Sequence, residues 1–169
     1  MSLFDKHNRT AMETEIYEQP DILEGIVKNE GIDKIDVPKD VNKIILVASG
    51  SSYHCARFSA DLLGNIANIE ARAIYSSEFL LKRIIPKDKG TLYIFITQSG
   101  ETSDTVKALE RVNNGFEING ERYTLDTLCI TNKPDSTIWK HSKYHVNCLA
   151  GTEQSIAATK SFTAQMLCV

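Results

Sequence analysis

Lys43-Ile44-Ile45-Leu46-Val47-Ala48-Ser49-Gly50-Ser51-Ser52 is a β-branched, apolar run that stops in a cluster of serine and glycine. An apolar run without polar alternation reads as a strand covered on both faces, as strands inside parallel sheets are. Behind it Tyr53, Ala56, Phe58, Ala60, Leu62, Leu63 and Ile66 recur at helical spacing. The Ser/Gly cluster therefore sits at a strand-to-helix junction.

The same unit repeats downstream. Glu70 to Tyr75 reads as a second strand, and Ser76-Ser77-Glu78-Phe79 opens a short helix that Pro86 ends. Thr91 to Ile96 is a third strand, and its helix starts after Gly100 and runs to about Asn113. Leu125 to Thr131 is a fourth strand, Tyr144 to Leu149 a weaker fifth, and Ser155 to Val169 a final helix. This alternation implies an α/β fold: a flavodoxin-like three-layer sandwich around a five-stranded parallel sheet.

Two features decorate the core. Met12, Ile16, Ile22, Leu23, Ile26 and Val27 describe an N-terminal helical arm within residues 1–30, with an interruption expected at Gln19-Pro20. Asn119-Gly120, set between alternating apolar and polar residues, signals a β-hairpin insertion. Without repeats or a long linker, residues 1–169 read as a single domain, an arm followed by an α/β core over 40–169.

Composition narrows the function classes. With 169 residues, 42% hydrophobic and 24% charged, the chain has an ordinary globular core. A net charge of -3 offers no basic field for nucleic acid, and no apolar run approaches the roughly 20 residues of a membrane span. Cys55, Cys129, Cys148 and Cys168 lack C-x-x-C spacing, and no apolar leader precedes the first charges. The expectations are a cytoplasmic protein with neither a disulfide framework nor a metal site, and no cofactor.

An anionic ligand would have to be held by local geometry. In open parallel sheets ligands bind beyond the carboxyl ends of the strands, where chain order reverses. Gly50-Ser51-Ser52 follows the first strand and Thr97-Gln98-Ser99-Gly100-Glu101-Thr102 the third; in a flavodoxin-like order these strands are neighbours. Free N–H groups at a helix start, with Ser/Thr hydroxyls and the Gln98 amide, supply the donors a phosphate needs. The competing reading is that these residues are only helix N-caps. Two rich clusters after two buried strands exceed what capping requires.

These segments resemble the sugar isomerase (SIS) domain family, and within it the first SIS half of the isomerase module of glutamine–fructose-6-phosphate aminotransferases. The resemblance runs through Glu15-Ile16-Tyr17-Glu18-Gln19-Pro20, Gly50-Ser51-Ser52-Tyr53 and Ser77-Glu78-Phe79. It continues in Gln98-Ser99-Gly100-Glu101-Thr102-Ser103-Asp104-Thr105, Gly151-Thr152-Glu153 and Ala157-Ala158-Thr159-Lys160-Ser161-Phe162-Thr163. It implies that Thr97, Gln98, Ser99 and Thr102 bind the phosphate of a hexose or hexosamine 6-phosphate, and that Ser51, Ser52, Ile156 and Ala158 line the sugar. Ala158 stands where the family usually has Ser, and Ser49 where Cys is common. It further implies a role in an aldose–ketose isomerase or aminotransferase of amino-sugar metabolism. The glutaminase domain of those enzymes, and the second SIS half carrying their general base, lie outside this sequence. The alternatives are a non-catalytic, regulatory phosphosugar-binding module and a fragment of a larger enzyme.

Aldose–ketose isomerisation needs a base within hydrogen-bond reach of the sugar carbon. Glu153 is the candidate here, with helix capping or pairing to Lys160 as its competing roles. Glu101 would repel an anion if it faced inward and is expected to face outward; Glu78 is expected to order its loop. His54 lies beside a binding loop, His141 and His145 have no evident partner, and Lys160 is expected in an ion pair. Half a site, and an apolar face on the final helix, lead to the expectation of a homodimer or a second SIS-containing partner chain.

Overall fold

The computed structural model describes residues 10–28, 35–82, 85–86, 88–118 and 120–169. Its centre is a five-stranded parallel sheet of β1 (Lys43–Ala48), β2 (Glu70–Tyr75), β3 (Thr91–Ile96), β6 (Asp126–Thr131) and β7 (Tyr144–Asn147), in the order β2-β1-β3-β6-β7. The two apolar runs occupy its middle: β1 is buried from Ile44 onward and β3 throughout, which is why neither shows polar alternation.

Alternate residues of those strands feed two separate cores. On one face Ile44, Leu46, Ala48, Ile94, Ile96 and Ile130 pack with Cys55, Ala56 and Ala60 of α2 (Gly50–Ile66) and Ala164 and Cys168 of α6 (Lys160–Leu167) and its cap. On the other, Ile45, Val47, Tyr93 and Phe95 pack with Phe79 of α3 (Ser76–Leu81), Ala108, Leu109 and Val112 of α4 (Ser103–Asn113), and Ile138 of α5 (Thr137–His141). Each fully buried Leu, Ile, Val or Phe contributes about 1.5–3 kcal/mol. Helices on both faces make the three layers expected from sequence.

Several boundaries differ from expectation. The arm helix α1 (Ala11–Val27) runs unbroken through Pro20. Pro20 lacks the N–H that would reach the Ile16 carbonyl, and the Gln19 side-chain amide donates to that carbonyl instead, at 3.1 Å. Thr10 and Glu13 close a capping box at its start; the rest of the expected arm, residues 1–9 and 29–30, lies outside the described residues. The last helix begins at Lys160, not Ser155, because the Thr159 and Ser161 N–H groups turn to the Glu153 carboxylate. β7 stops at Asn147, whose side chain accepts the Leu149 N–H in a turn that takes Leu149 to φ 51. Helix α5 was not foreseen.

The hairpin is present as antiparallel β4 (Phe116–Ile118) and β5 (Glu121–Tyr123), with Gly120 at φ 80; Asn119 lies outside the described residues. Among the described residues no helix is long and apolar enough to cross a membrane.

Candidate phosphosugar site at the carboxyl edge of the sheet

The loops after β1 and β3 leave the sheet side by side, since Ala48 is in register with Ile96. Chain order reverses between these strands: β1 leads to β2 on one side and β3 to β6 on the other. Helix α2 packs on one face and α4 on the opposite face. The geometry is the crevice in which open α/β sheets bind ligands.

The capping reading fails at both helix starts. Ser49 is the N-cap of α2 and Thr102 the N-cap of α4, and neither side chain makes a capping hydrogen bond. The first N–H groups of each helix thus have no partner within the helix and none from the cap side chain. Thr102 Oγ1 instead lies 2.8 Å from Thr97 Oγ1, tying the two ends of the loop together.

That loop is held from beneath. The Gln98 carbonyl accepts from the Asn132 N–H (3.2 Å) and Thr131 Oγ1 (3.3 Å), and the Gly100 carbonyl accepts from the Ile138 N–H (3.1 Å). These two carbonyls are thereby drawn into the protein. Ser99 is exposed, and its Oγ accepts the Glu101 N–H at 3.2 Å. Gly100 adopts φ 69 with its α-carbon so close to Ser136 that a Cβ would fall 2.1 Å from the Ser136 hydroxyl. Glu101 turns away: its carboxylate accepts the Thr137 N–H at 2.8 Å, and bonds from Thr137 hold its pKa below the usual value.

The expected sugar-side residues divide. Ser51 is exposed on the first turn of α2. Ser52 is buried, and its hydroxyl donates to Gln165 Oε1 at 2.9 Å, into the protein. Ile156 is fully exposed and Ala158 half-buried on the segment between β7 and α6. That segment reaches the same sheet edge through Asn132, whose side chain accepts the Ala150 N–H (2.9 Å) and donates to the Gly151 carbonyl. Asn132 bridges both loops; its position directly after β6 was the signal.

Glu153 has both carboxylate oxygens engaged: one by Thr159 and the Ser161 N–H, the other by the Ser161 hydroxyl. Lys160 is buried in an ion pair with Glu18 at 2.6 Å. His54 and Glu78 are exposed, and His145 stacks on Trp139. All four cysteines are free and buried, and burial pushes their thiols up, to about 11 for Cys55 and Cys129 and about 12 for Cys148 and Cys168. No cluster of three His, Cys, Asp or Glu able to hold a metal occurs among the described residues.

Comparison with known proteins agrees with this geometry. Residues 39–169 match the SIS domain family. The glutamine–fructose-6-phosphate aminotransferase [isomerizing] of Shouchella clausii is 33% identical over 161 residues, 90% of this chain and 25% of that protein. The enzyme of the same name from Chlamydia pneumoniae is 36% identical over 163 residues, again 90% and 25%. The C-terminal domain of glucosamine-fructose-6-phosphate aminotransferase from Francisella tularensis superposes with a TM-score of 0.84 at 26% identity, covering 96% of this chain and 46% of that one. The chain thus spans about a quarter of the length of these curated relatives. A doubly wound sheet, two non-capping hydroxyl loops at its reversal point and these matches together place the chain in the SIS domain family.

Proposed function

We propose that this SIS domain binds a hexose or hexosamine 6-phosphate, of the fructose 6-phosphate or glucosamine 6-phosphate type. Thr97, Gln98, Ser99 and Thr102 receive the phosphate, and Ser51, Ile156 and Ala158 line the sugar together with the backbone of Ser52, whose hydroxyl is turned into the protein. The observation that carries this reading is the pair of N-cap hydroxyls that cap neither helix, at adjacent strand ends, beside helix-start N–H groups that no cap side chain takes, the Gly50 N–H turning instead to the Tyr75 hydroxyl at 3.0 Å. The names of the relatives support the substrate class.

The domain provides binding rather than a complete reaction centre. A general base must be free to take a proton, and Glu153 is enclosed by four donors. The catalytic carboxylate therefore comes from a second SIS half or a second copy, so the domain serves as the first half of a double-SIS module in a cytoplasmic isomerase or aminotransferase. An apolar groove of about 690 Å³ between α1, α2 and α6, lined by Leu23, Val27, Phe58, Leu62, Met166 and Leu167, suits such a partner.

Thermal stabilisation across a panel of hexose and hexosamine 6-phosphates tests the reading. A ligand at 100 times its Kd stabilises the folded state by about 2.7 kcal/mol. The expected result is a rise in Tm with 6-phosphates and none with the unphosphorylated sugars; equal response to both, or to neither, overturns it.

A further inference from the structure

The opening turns of α1 carry a feature that neither the phosphate loop nor the sheet explains. Thr14, Ile16 and Tyr17 are exposed, yet Glu15 between them is 4% exposed. An ionised carboxylate is buried at a cost unless donors meet it. Here they are backbone donors from a segment about 140 positions away: the Gln154 N–H donates to Glu15 Oε1, and the Ser155 N–H lies 3.3 Å from both oxygens. Burial acts to raise the Glu15 pKa, and the bonds from Ser155 and Gln154, with the Lys160 charge, outweigh it and lower it.

The same helix face continues the attachment. Glu18, one turn along, pairs with buried Lys160, and Gln19 accepts from the Thr163 hydroxyl at 3.0 Å. The 150–161 segment is thereby fixed at both ends from the inside, by Asn132 at Ala150 and Gly151 and by Glu153 at Thr159 and Ser161. Between those anchors the backbone has no helix or strand, and Glu15 holds its middle. Of the sugar-side residues, Ile156 follows directly after the two amides that Glu15 grips and Ala158 comes two positions later.

We propose that Glu15 is a positioning residue that sets the shape of the sugar-side segment, so that the helical arm governs affinity for the sugar moiety and leaves affinity for the phosphate untouched. This rests on the proposed phosphosugar site and adds a residue outside it. The proposed phosphate loop hangs from β3, β6 and α5, and among the described residues its hydrogen bonds go to those elements and not to Glu15. A specific role therefore separates the two halves of the ligand.

The test compares Glu15→Ala and Glu15→Gln with the wild-type chain, measuring Kd for inorganic phosphate and for fructose 6-phosphate, with hydrogen exchange at the Gln154 and Ser155 amides. Glu15→Ala is expected to weaken fructose 6-phosphate tenfold or more, to change phosphate less than twofold, and to speed exchange at both amides. Glu15→Gln keeps an oxygen for both N–H groups and is expected to recover most of the loss. Equal weakening of both ligands, or no change in either, overturns the inference. If wild-type protein binds neither ligand, the proposed function fails and exchange alone decides: unaltered exchange in Glu15→Ala sinks the inference, while faster exchange rescued by Glu15→Gln upholds the positioning of the segment.

Discussion

Gly100→Ala is the substitution whose cost is set most directly by the geometry of the β3–α4 loop. Gly100 has φ 69, where an L side chain costs about 1–2 kcal/mol. An added Cβ would also meet Ser136 Oγ at 2.1 Å, Ser136 Cβ at 2.4 Å and Thr131 Oγ1 at 3.1 Å, all inside van der Waals contact. Ser136 has little room to retreat: it is the N-cap of α5, its carbonyl accepts the Lys140 N–H and its N–H donates to the Lys133 carbonyl. Overpacking of this kind costs about 1–3 kcal/mol, so the total is about 2–5 kcal/mol. Gly50→Ala is the matched control, since φ 58 is similar and nothing lies within 4 Å of the added Cβ, leaving the backbone cost alone. Urea denaturation of both variants reads the difference. Adding Ser136→Gly to Gly100→Ala removes the two closest atoms and should return stability to the Gly50→Ala level, because Gly is tolerated at an N-cap. If Gly100→Ala is no less stable than Gly50→Ala, the loop does not press on α5 as described and the reasoning fails.

Other consequences are open to measurement. Ser52→Ala leaves the buried Gln165 carbonyl oxygen without its donor and should cost about 1–3 kcal/mol in chemical denaturation, while Ser51→Ala, on the surface, should cost under about 0.5 kcal/mol. Equal effects would contradict the inward placement of Ser52. Asn132→Asp keeps the acceptor for Ala150 but removes the donor to Gly151; a loss of about 1–3 kcal/mol is expected, and full stability would show that the bridge contributes nothing. For Glu101 the folded pKa is depressed, so its contribution is present above the unfolded value and disappears as pH falls through the lower folded value. The stability deficit of Glu101→Gln should therefore be largest near neutral pH and should close below about pH 4; a pH-independent deficit would rule out the carboxylate's bond to Thr137 as its source.

The strands were legible because their cause is local. β1 and β3 are covered on both faces, and that shows directly as apolar runs without alternation. The hydroxyl loops were legible for a related reason, since residues directly after a buried strand must lie at the sheet's carboxyl edge. What escaped the sequence acts across distance. Gln165 meets Ser52 from 113 positions away and Glu15 meets Gln154 from 139, and no local pattern announces such pairs. Pro20 misled because its missing N–H is replaced by a neighbouring side chain, a substitution that spacing rules do not contain. The 155–159 segment looked helical by composition, and Glu153 diverts it by drawing the amides of Thr159 and Ser161 to itself. Helix α5 is five residues long, starting two positions after the positive-φ Asp135, and is too short to leave a periodic signature.

Backbone amide shifts of the isotope-labelled chain, followed during titration with fructose 6-phosphate, test the central claim most directly. Phosphate held by the β3–α4 loop predicts the largest, saturable shifts at Ser99 to Asp104, with smaller ones at Ser51 and Ser52. Shifts confined to the apolar groove around Phe58 and Met166, with residues 97–104 unmoved at saturation, would contradict the account.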